Sequence, residues 1–300
     1  MKKLVFGSVN IDRTYQVQHF VAPGETMAAD SMTLYCGGKG FNQAVSLARA
    51  CKDIYFAGAV GEDGEMPAEA MLSEGICPDY LLRVPGFSGH AVIQVDREGQ
   101  NCIMILGGAN RAITAAYVDE VLSHFSAGDL ILLQNEISQV PYIIRRSKEK
   151  GMLVALNPSP YNEEIAACDL SLVDYLLINE VEGGALVGTS DEDEILTALH
   201  EKYPRMRVVL TLGSRGAIYQ DENGNRISHG IYKVPVTDTT AAGDTFTGYF
   251  LAEMLSSGDP IQATDMAAVA SGLCVSKQGA YVSIPHREEV ERICKKVKSK

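Results

Sequence analysis

Four short apolar runs, Leu130 to Leu133, Leu153 to Leu156, Tyr175 to Ile178 and Arg207 to Leu212, are separated by segments with helical starts after Thr114, Pro141, Glu180 and Asp191. Runs this short and this continuously apolar suit strands covered on both faces. Parallel strands need long crossovers, so strands alternating with helices predict an α/β fold: a mostly parallel central sheet with helices on both faces. A first strand is expected over Leu4 to Asp12, turning polar at Asn10 and Asp12, and another over Ile54 to Val60. Helices are expected over Lys39 to Ala50, from Gly64 to near Gly75, and over Thr245 to Leu255, Ile261 to Val275 and Glu288 to Lys298. A strand-like pattern returns over Ala217 to Val234, around Asn223-Gly224.

Two pieces break the alternation. Arg13 to Phe20 and Ser31 to Leu34 alternate apolar and polar residues around Pro23-Gly24-Glu25-Thr26, and Ala91 to Leu106 reads as a hairpin. They are expected to meet as a small β-sheet lid, residues 13–35 and 91–106, over an α/β core of residues 1–12, 36–90 and 107–300. No internal repeat or long linker divides the chain.

A net charge of −12 argues against a nucleic-acid partner, and the one basic cluster, Lys295 to Lys300, reads as a helix C-terminus. The seven cysteines are scattered without a C-x-x-C pair and read as reduced thiols, and no H-E-x-x-H supports zinc. No apolar run approaches the roughly 20 residues needed to cross a bilayer, so no membrane partner is expected. The apolar stretch after Met1-Lys2-Lys3 is too short for a signal peptide, and the expected location is cytoplasmic.

The stretch Asp238 to Gly248 runs from a polar turn through Ala241, Ala242 and Gly243 into a helical pattern. Small side chains and the free N–H groups of a helix start make an anion site, where Asp244 could cap the helix or accept a proton. Cys36-Gly37-Gly38-Lys39-Gly40-Phe41-Asn42 offers glycine N–H groups beside a lysine without the Walker A spacing, and no dinucleotide fingerprint is present. Asn179 and Glu182 lie one helical turn apart, as in a capping box or beside a hydrated magnesium. Thr211, Gly213, Ser214 and Gly216 could wrap phosphates, and Glu136 could hold a sugar hydroxyl. Each group falls at or beyond a predicted strand end, the edge where open α/β sheets bind ligands.

With these residues assembled, the chain resembles the ribokinases within the ribokinase-like (PfkB) family of carbohydrate kinases, nearly end to end. The resemblance rests on Gly7 to Asp12, Pro23 to Thr26, Gly37 to Ala44, Asn157-Pro158, Asn179-Glu180, Thr211 to Gly216, Asp238 to Gly248 and Lys277 to Ala280 with Ser283. It implies transfer of the γ-phosphoryl group of MgATP to a primary hydroxyl, by analogy the 5-hydroxyl of D-ribose. Deoxyribose, fructose or pseudouridine are the alternative acceptors, and a catalytically silent sugar-binding regulator is the alternative outside catalysis. By the resemblance Asp244 is the catalytic base, and Ala241, Ala242, Gly243 and Asp244 form the anion hole. Asn10, Asp12, Gly38, Lys39, Asn42 and Glu136 bind sugar; Asn179, Thr211, Gly213, Ser214, Gly216 and Gly243 bind nucleotide. Glu182 stands near Mg2+, through water. A K+ ion is implied at Asp238, the carbonyls of Thr240, Cys274, Lys277 and Gly279, and Ser283. Family members commonly pair through such lids, which implies a homodimer. Phe41 stands where the family usually has Ala; it and His90 could narrow or reshape the pocket, but a buried Phe41 packing under the helix is the favoured reading.

Overall fold

The computed structural model describes residues 1–298. In chain order the strands are β1 (Lys3–Phe6), β2 (Asn10–Gln16), β3 (Ser31–Gly37), β4 (Ile54–Val60), β5 (Ile76–Arg83), β6 (Gly89–Val95) and β7 (Asn101–Leu106). They continue with β8 (Leu130–Gln134), β9 (Leu153–Asn157), β10 (Tyr175–Asn179), β11 (Arg207–Thr211), β12 (Ala217–Gln220) and β13 (Arg226–His229). The helices are α1 (Lys39–Ala50), α2 (Glu65–Ser73), α3 (Ala115–Ser123), α4 (Val140–Glu149), α5 (Glu163–Ala166), α6 (Glu180–Val187), α7 (Glu192–Lys202), α8 (Ala242–Ser257), α9 (Pro260–Val275) and α10 (Arg287–Lys298).

The large sheet runs β13-β12-β11-β10-β9-β8-β1-β4-β5 and is parallel from β11 to β5. Only β12 and β13 pair antiparallel, at one edge. Side chains alternate across the sheet with the strand period of two. Leu130 and Leu132 therefore join one core with Val45 of α1, Phe250 of α8 and Ala267 of α9. Ile131 and Leu133 join the other with Val121 of α3, Ile143 of α4 and Leu196 of α7. The unbroken apolar runs are thus the record of burial on both faces.

The small sheet runs β3-β2-β6-β7, with β2 parallel to β6 and the outer pairs antiparallel. It begins at Asn10 and extends to Gly37, beyond the expected limits of Arg13 and Tyr35. This corrects the first strand. Its ladder ends where Gly7 N–H donates to Ala57 O (2.9 Å), the chain then turns under α1, and it re-enters a strand at Asn10 in the other sheet. The polar change at Asn10 and Asp12 marks a change of sheet, not a strand end. Strand β5 was not expected, since Pro78 and Asp79 disguise it; it is an edge strand, where a missing N–H costs least, and its register with β4 shifts between Tyr55 and Ala57. The pattern over Ala217 to Val234 is a hairpin that stops at His229, and residues 230–241 cross to α8 without strand or helix. The Asp238 stretch therefore does not follow a strand directly.

Helices α1 and α8 press together. Ser46 Oγ donates to Thr245 O (2.9 Å), and a methyl group on Gly248 would lie 2.8 Å from Leu47 N, so only glycine allows this approach. Ser299 and Lys300, the end of the basic cluster, lie outside the described residues. Among the described residues no helix is long and apolar enough to cross a membrane.

Candidate active site

The segment before α8 is fixed by its own polar groups. Asp238 Oδ1 accepts from Thr240 N (2.9 Å) and Thr240 Oγ1 (2.6 Å), and Oδ2 accepts from Gly279 N (3.0 Å). Burial alone would raise the Asp238 carboxyl, but these hydrogen bonds outweigh it and hold the group below the usual carboxylate range. Ala241 takes the N-cap position with φ 60°, a left-handed conformation that costs a non-glycine residue about 1 kcal/mol. Among the described residues no side chain caps α8. Ala242 N–H donates to Thr239 O (3.3 Å), and the next N–H groups, of Gly243 and Asp244, are left for an anion.

The cap expected of Asp244 is therefore absent, because its carboxylate turns to α1 instead. Asp244 is buried; Oδ2 accepts from Asn42 Nδ2 (3.1 Å) and Oδ1 from Gln43 Nε2 (2.9 Å). The close α1–α8 packing puts these groups in reach. Gln43 Nε2 also lies 3.3 Å from Asn157 Oδ1, and Gln43 Oε1 accepts from Gln134 Nε2 (2.6 Å). Among the described residues Asn42 Oδ1 is buried without a hydrogen-bond partner, an acceptor suited to a hydroxyl.

The expected sugar residues gather beside this pair. Glu136 Oε2 accepts from Lys39 N (2.9 Å) and Ser8 Oγ (2.5 Å), and Gly38, with φ 90°, opens α1 next to them. Asn10 Oδ1 accepts from the buried Asn110 Nδ2 (2.8 Å), which leaves the Asn10 amide hydrogens for a ligand. Asp12 fits against the bare backbone of Gly37, where a methyl group would lie 2.7 Å from Asp12 Cγ. Burial first, and the charge of Glu136 second, push the Asp12 carboxyl up to about 6. Phe41 is fully buried and packs edge-on against Tyr281 at 5.1 Å, so it holds the loop from beneath and does not reshape the pocket. His90 is half-buried on β6, with Nδ1 3.2 Å from Ser88 O.

Two compartments meet at the start of α8. One, of about 260 Å³, is lined by Lys39, Asn157, Asn179, Glu182, Ala241 and Asp244. The other, of about 380 Å³, has largely apolar walls from Ile231, Tyr232, Val236, Ala268 and Val275, with Gly213, Ser214 and Gly216 along one side. Asn179, Thr211, Thr239, Ala242 and Gly243 line both. Asn179 and Glu182 form a full capping box at α6, Asn179 Oδ1 accepting from Glu182 N (2.8 Å) and Glu182 Oε2 from Asn179 N (3.1 Å).

Behind the anion site, Cys274 Sγ lies 3.7 Å from Thr240 O and 3.0 Å from Ser283 Oγ, which brings two of the expected cation ligands against one thiol. Burial pushes that thiol up, so it remains a neutral donor. The Lys277 side chain turns away to Glu289 (3.2 Å). Gln43, Gln134, Asn157 and Asn110 were not singled out from the sequence as site residues. The visible signal was Gln134, a polar residue ending the otherwise apolar run Leu130 to Leu133.

The chain matches the family described as pfkB family carbohydrate kinase over residues 2–287. It is 34% identical over 298 residues to a ribokinase of Haemophilus influenzae, covering 95% of each chain. It superposes with a TM-score of 0.86 on the structure of Arabidopsis thaliana ribokinase complexed with ribose and ATP, at 32% identity and 98% coverage of both chains. A Cryptococcus neoformans ribokinase in complex with ADP gives a TM-score of 0.85 at 31% identity, covering 97% of this chain and 99% of that one.

Proposed function

The chain belongs to the pfkB family of carbohydrate kinases, and on that premise we propose that it transfers the γ-phosphoryl group of MgATP to the 5-hydroxyl of D-ribose. The observation that carries this reading is the buried Asp244 carboxylate, bonded to the sugar-loop residue Asn42, at the uncapped start of α8 where two compartments meet. The apolar compartment suits a nucleobase. Asn179, Thr211, Gly213, Ser214, Gly216 and Gly243 then bind the nucleotide, with phosphates at the shared rim, and Asn10, Asp12, Gly38, Lys39, Asn42 and Glu136 hold the sugar.

Phosphoryl transfer asks mainly for positioning and charge stabilisation. Asp244 accepts the hydroxyl proton late, as the O–P bond forms, since a carboxylate does not strip a free alcohol. The N–H groups of Ala241, Ala242, Gly243 and Asp244 face the charge that develops on the transferred group. The donor set at Asp238, Thr240, Cys274, Lys277, Gly279 and Ser283 is oxygen-rich, with Thr240 O and Ser283 Oγ against one thiol and Gly279 N–H bonded to Asp238, which fits a K+ that would order the loop. Glu182 lines the transfer compartment with a single carboxylate, which fits a Mg2+ that keeps most of its waters. When bound, Mg2+ neutralises phosphate charge. The deciding experiment is turnover of MgATP on a panel of ribose, deoxyribose, fructose and pseudouridine, with and without K+. ATP consumption with none of them would overturn the reading, as would strong preference for a nucleoside.

Asp12 gives the sugar site a pH dependence. A carboxylate accepts two hydroxyls only when ionised, so sugar affinity is expected to fall as pH drops through about 6, the Asp12 value. Glu136 is a cause of that raised value, so Glu136→Gln should move the midpoint lower while weakening sugar binding overall. The measurement is KM for ribose between pH 5 and 8 in both proteins; an unchanged midpoint would remove the coupling.

The small sheet serves as a lid over the sugar, and its outer strand offers a partner surface. Ile103, Met104, Ile105 and Leu106 of β7 are all 50–69% exposed, a contiguous apolar strip on an edge strand. This supports a homodimer through the lid. A monomer mass by light scattering at micromolar concentration would count against it.

A further inference from the structure

We infer that Gln134 and Gln43 form a buried amide relay that aims the Asp244 carboxylate, making both of them positioning residues for proton transfer. The inference rests on Asp244 being the base. Gln43 and Gln134 are fully buried, and neither lines the two compartments that meet at the start of α8.

Amide orientation is set by the hydrogen-bond network, and here the network allows one answer. Asn157 Nδ2 donates to Leu177 O (2.8 Å), so Asn157 Oδ1 faces Gln43. Asp244 Oδ1 faces Gln43 from another side, at 2.9 Å. Both neighbours are acceptors, and each needs a donor. Gln43 must therefore turn Nε2 towards them and Oε1 towards Gln134, whose Nε2 supplies the matching donor at 2.6 Å. Turned the other way, Gln43 would set a carbonyl oxygen against two acceptors and an N–H against the one donor, Gln134 Nε2.

Cost also indicates purpose. Gln134 Oε1 is buried without a partner among the described residues, and a methyl group on Gly7 would lie 3.3 Å from Gln134 Cδ, so the strand backbone is bare to admit this side chain. An apolar residue would fill the end of β8 without that penalty. What the amide adds is direction: Asp244 Oδ1 is held by Gln43, and Oδ2, beside Asn42, is the oxygen that takes the proton. Carboxylate aim within a fraction of an ångström is worth large factors in rate.

The test uses Gln134, which has no bond to Asp244. Gln134→Met removes the donor to Gln43, whereas Gln134→Glu offers an acceptor and turns Gln43 over, placing its oxygen on the base. Expected for Gln134→Glu is a kcat lower by about 10-fold or more and an acid limb of the kcat–pH profile displaced to higher pH, with KM for ribose and ATP within about twofold. Gln134→Met should lower kcat by less and leave the acid limb in place. ADP affinity by calorimetry and melting temperature establish that both proteins are folded. A wild-type kcat and acid limb in Gln134→Glu would overturn the relay, as would kcat and both KM values changing together with no pH shift. Asp244→Asn separates the two levels. If it is inactive while the Gln134 variants behave as wild type, the base stands and the relay is discarded; if it is active, both are.

Discussion

Asp244→Asn is expected to lower kcat by about 10²- to 10⁴-fold, with ADP affinity close to that of the unaltered protein. The volume is nearly unchanged, so α8 and the anion site should persist. What changes is the pairing. Both carboxylate oxygens accept from side-chain amides, Asn42 Nδ2 on one and Gln43 Nε2 on the other. An Asn amide accepts on one side only, so its NH2 would face one of these donors in either orientation. The variant loses the proton acceptor and one buried hydrogen bond together, the latter at about 1–3 kcal/mol. Single-turnover phosphoryl transfer and ADP calorimetry measure the two consequences apart. Near-normal turnover would remove Asp244 as base.

Gly40→Ala should damage both the fold and the reaction. The first turn of α1 lies directly on the end of β1: a methyl group at Gly40 would sit 2.7 Å from Gly7 Cα and Gly7 C and closer still to Ser8 N. All three are backbone atoms, so no side-chain rotation can absorb the overlap. The helix start must lift, loosening the Phe41 N to Ser8 O bond (2.9 Å). Overpacking of this kind costs about 1–3 kcal/mol. Because Asn42 and Gln43 ride on the same turn, a shift of about 1 Å at the base should reduce turnover by about 10²-fold. Chemical denaturation gives the stability change and kcat the other; a variant with unchanged midpoint and rate would show that the turn has slack.

Much of this architecture is written in the chain. The strands β8 to β11 are legible because both of their faces are buried, which leaves unbroken apolar runs no other element explains well. Strand β5 hides because an edge position tolerates Pro78 and Asp79. The split between β1 and β2 hides for a different reason: a strand that leaves one sheet and enters another carries no turn signal beyond Gly7 and Ser8. At the site, the groups proposed to face ligand stand out as polar residues among glycines and at strand ends. Gln43, Gln134 and Asn110 do not, since their partners, which include other amides, the Asp244 carboxylate and the Val9 backbone, come from distant parts of the chain, and local spacing carries no trace of such pairs.

The separation of Asn42 and Gln43 from Asp244, 202 and 201 residues along the chain, also bears on how the molecule comes into being. Every strand of both sheets lies within residues 3–229, whereas α8 and α9 follow. A nascent or refolding chain can thus complete its strand pairing while lacking Asp244, the proposed base. In that interval α1 and α2 alone cover the sheet face on which α8 and α9 dock, and its apolar far side, with Val209, Ala217 and Tyr219, is left open, the condition under which intermediates aggregate. Docking of the last quarter of the chain is at once the step that shields the sheet and the step that switches the molecule on, so recovery of turnover reports the end of folding rather than its onset.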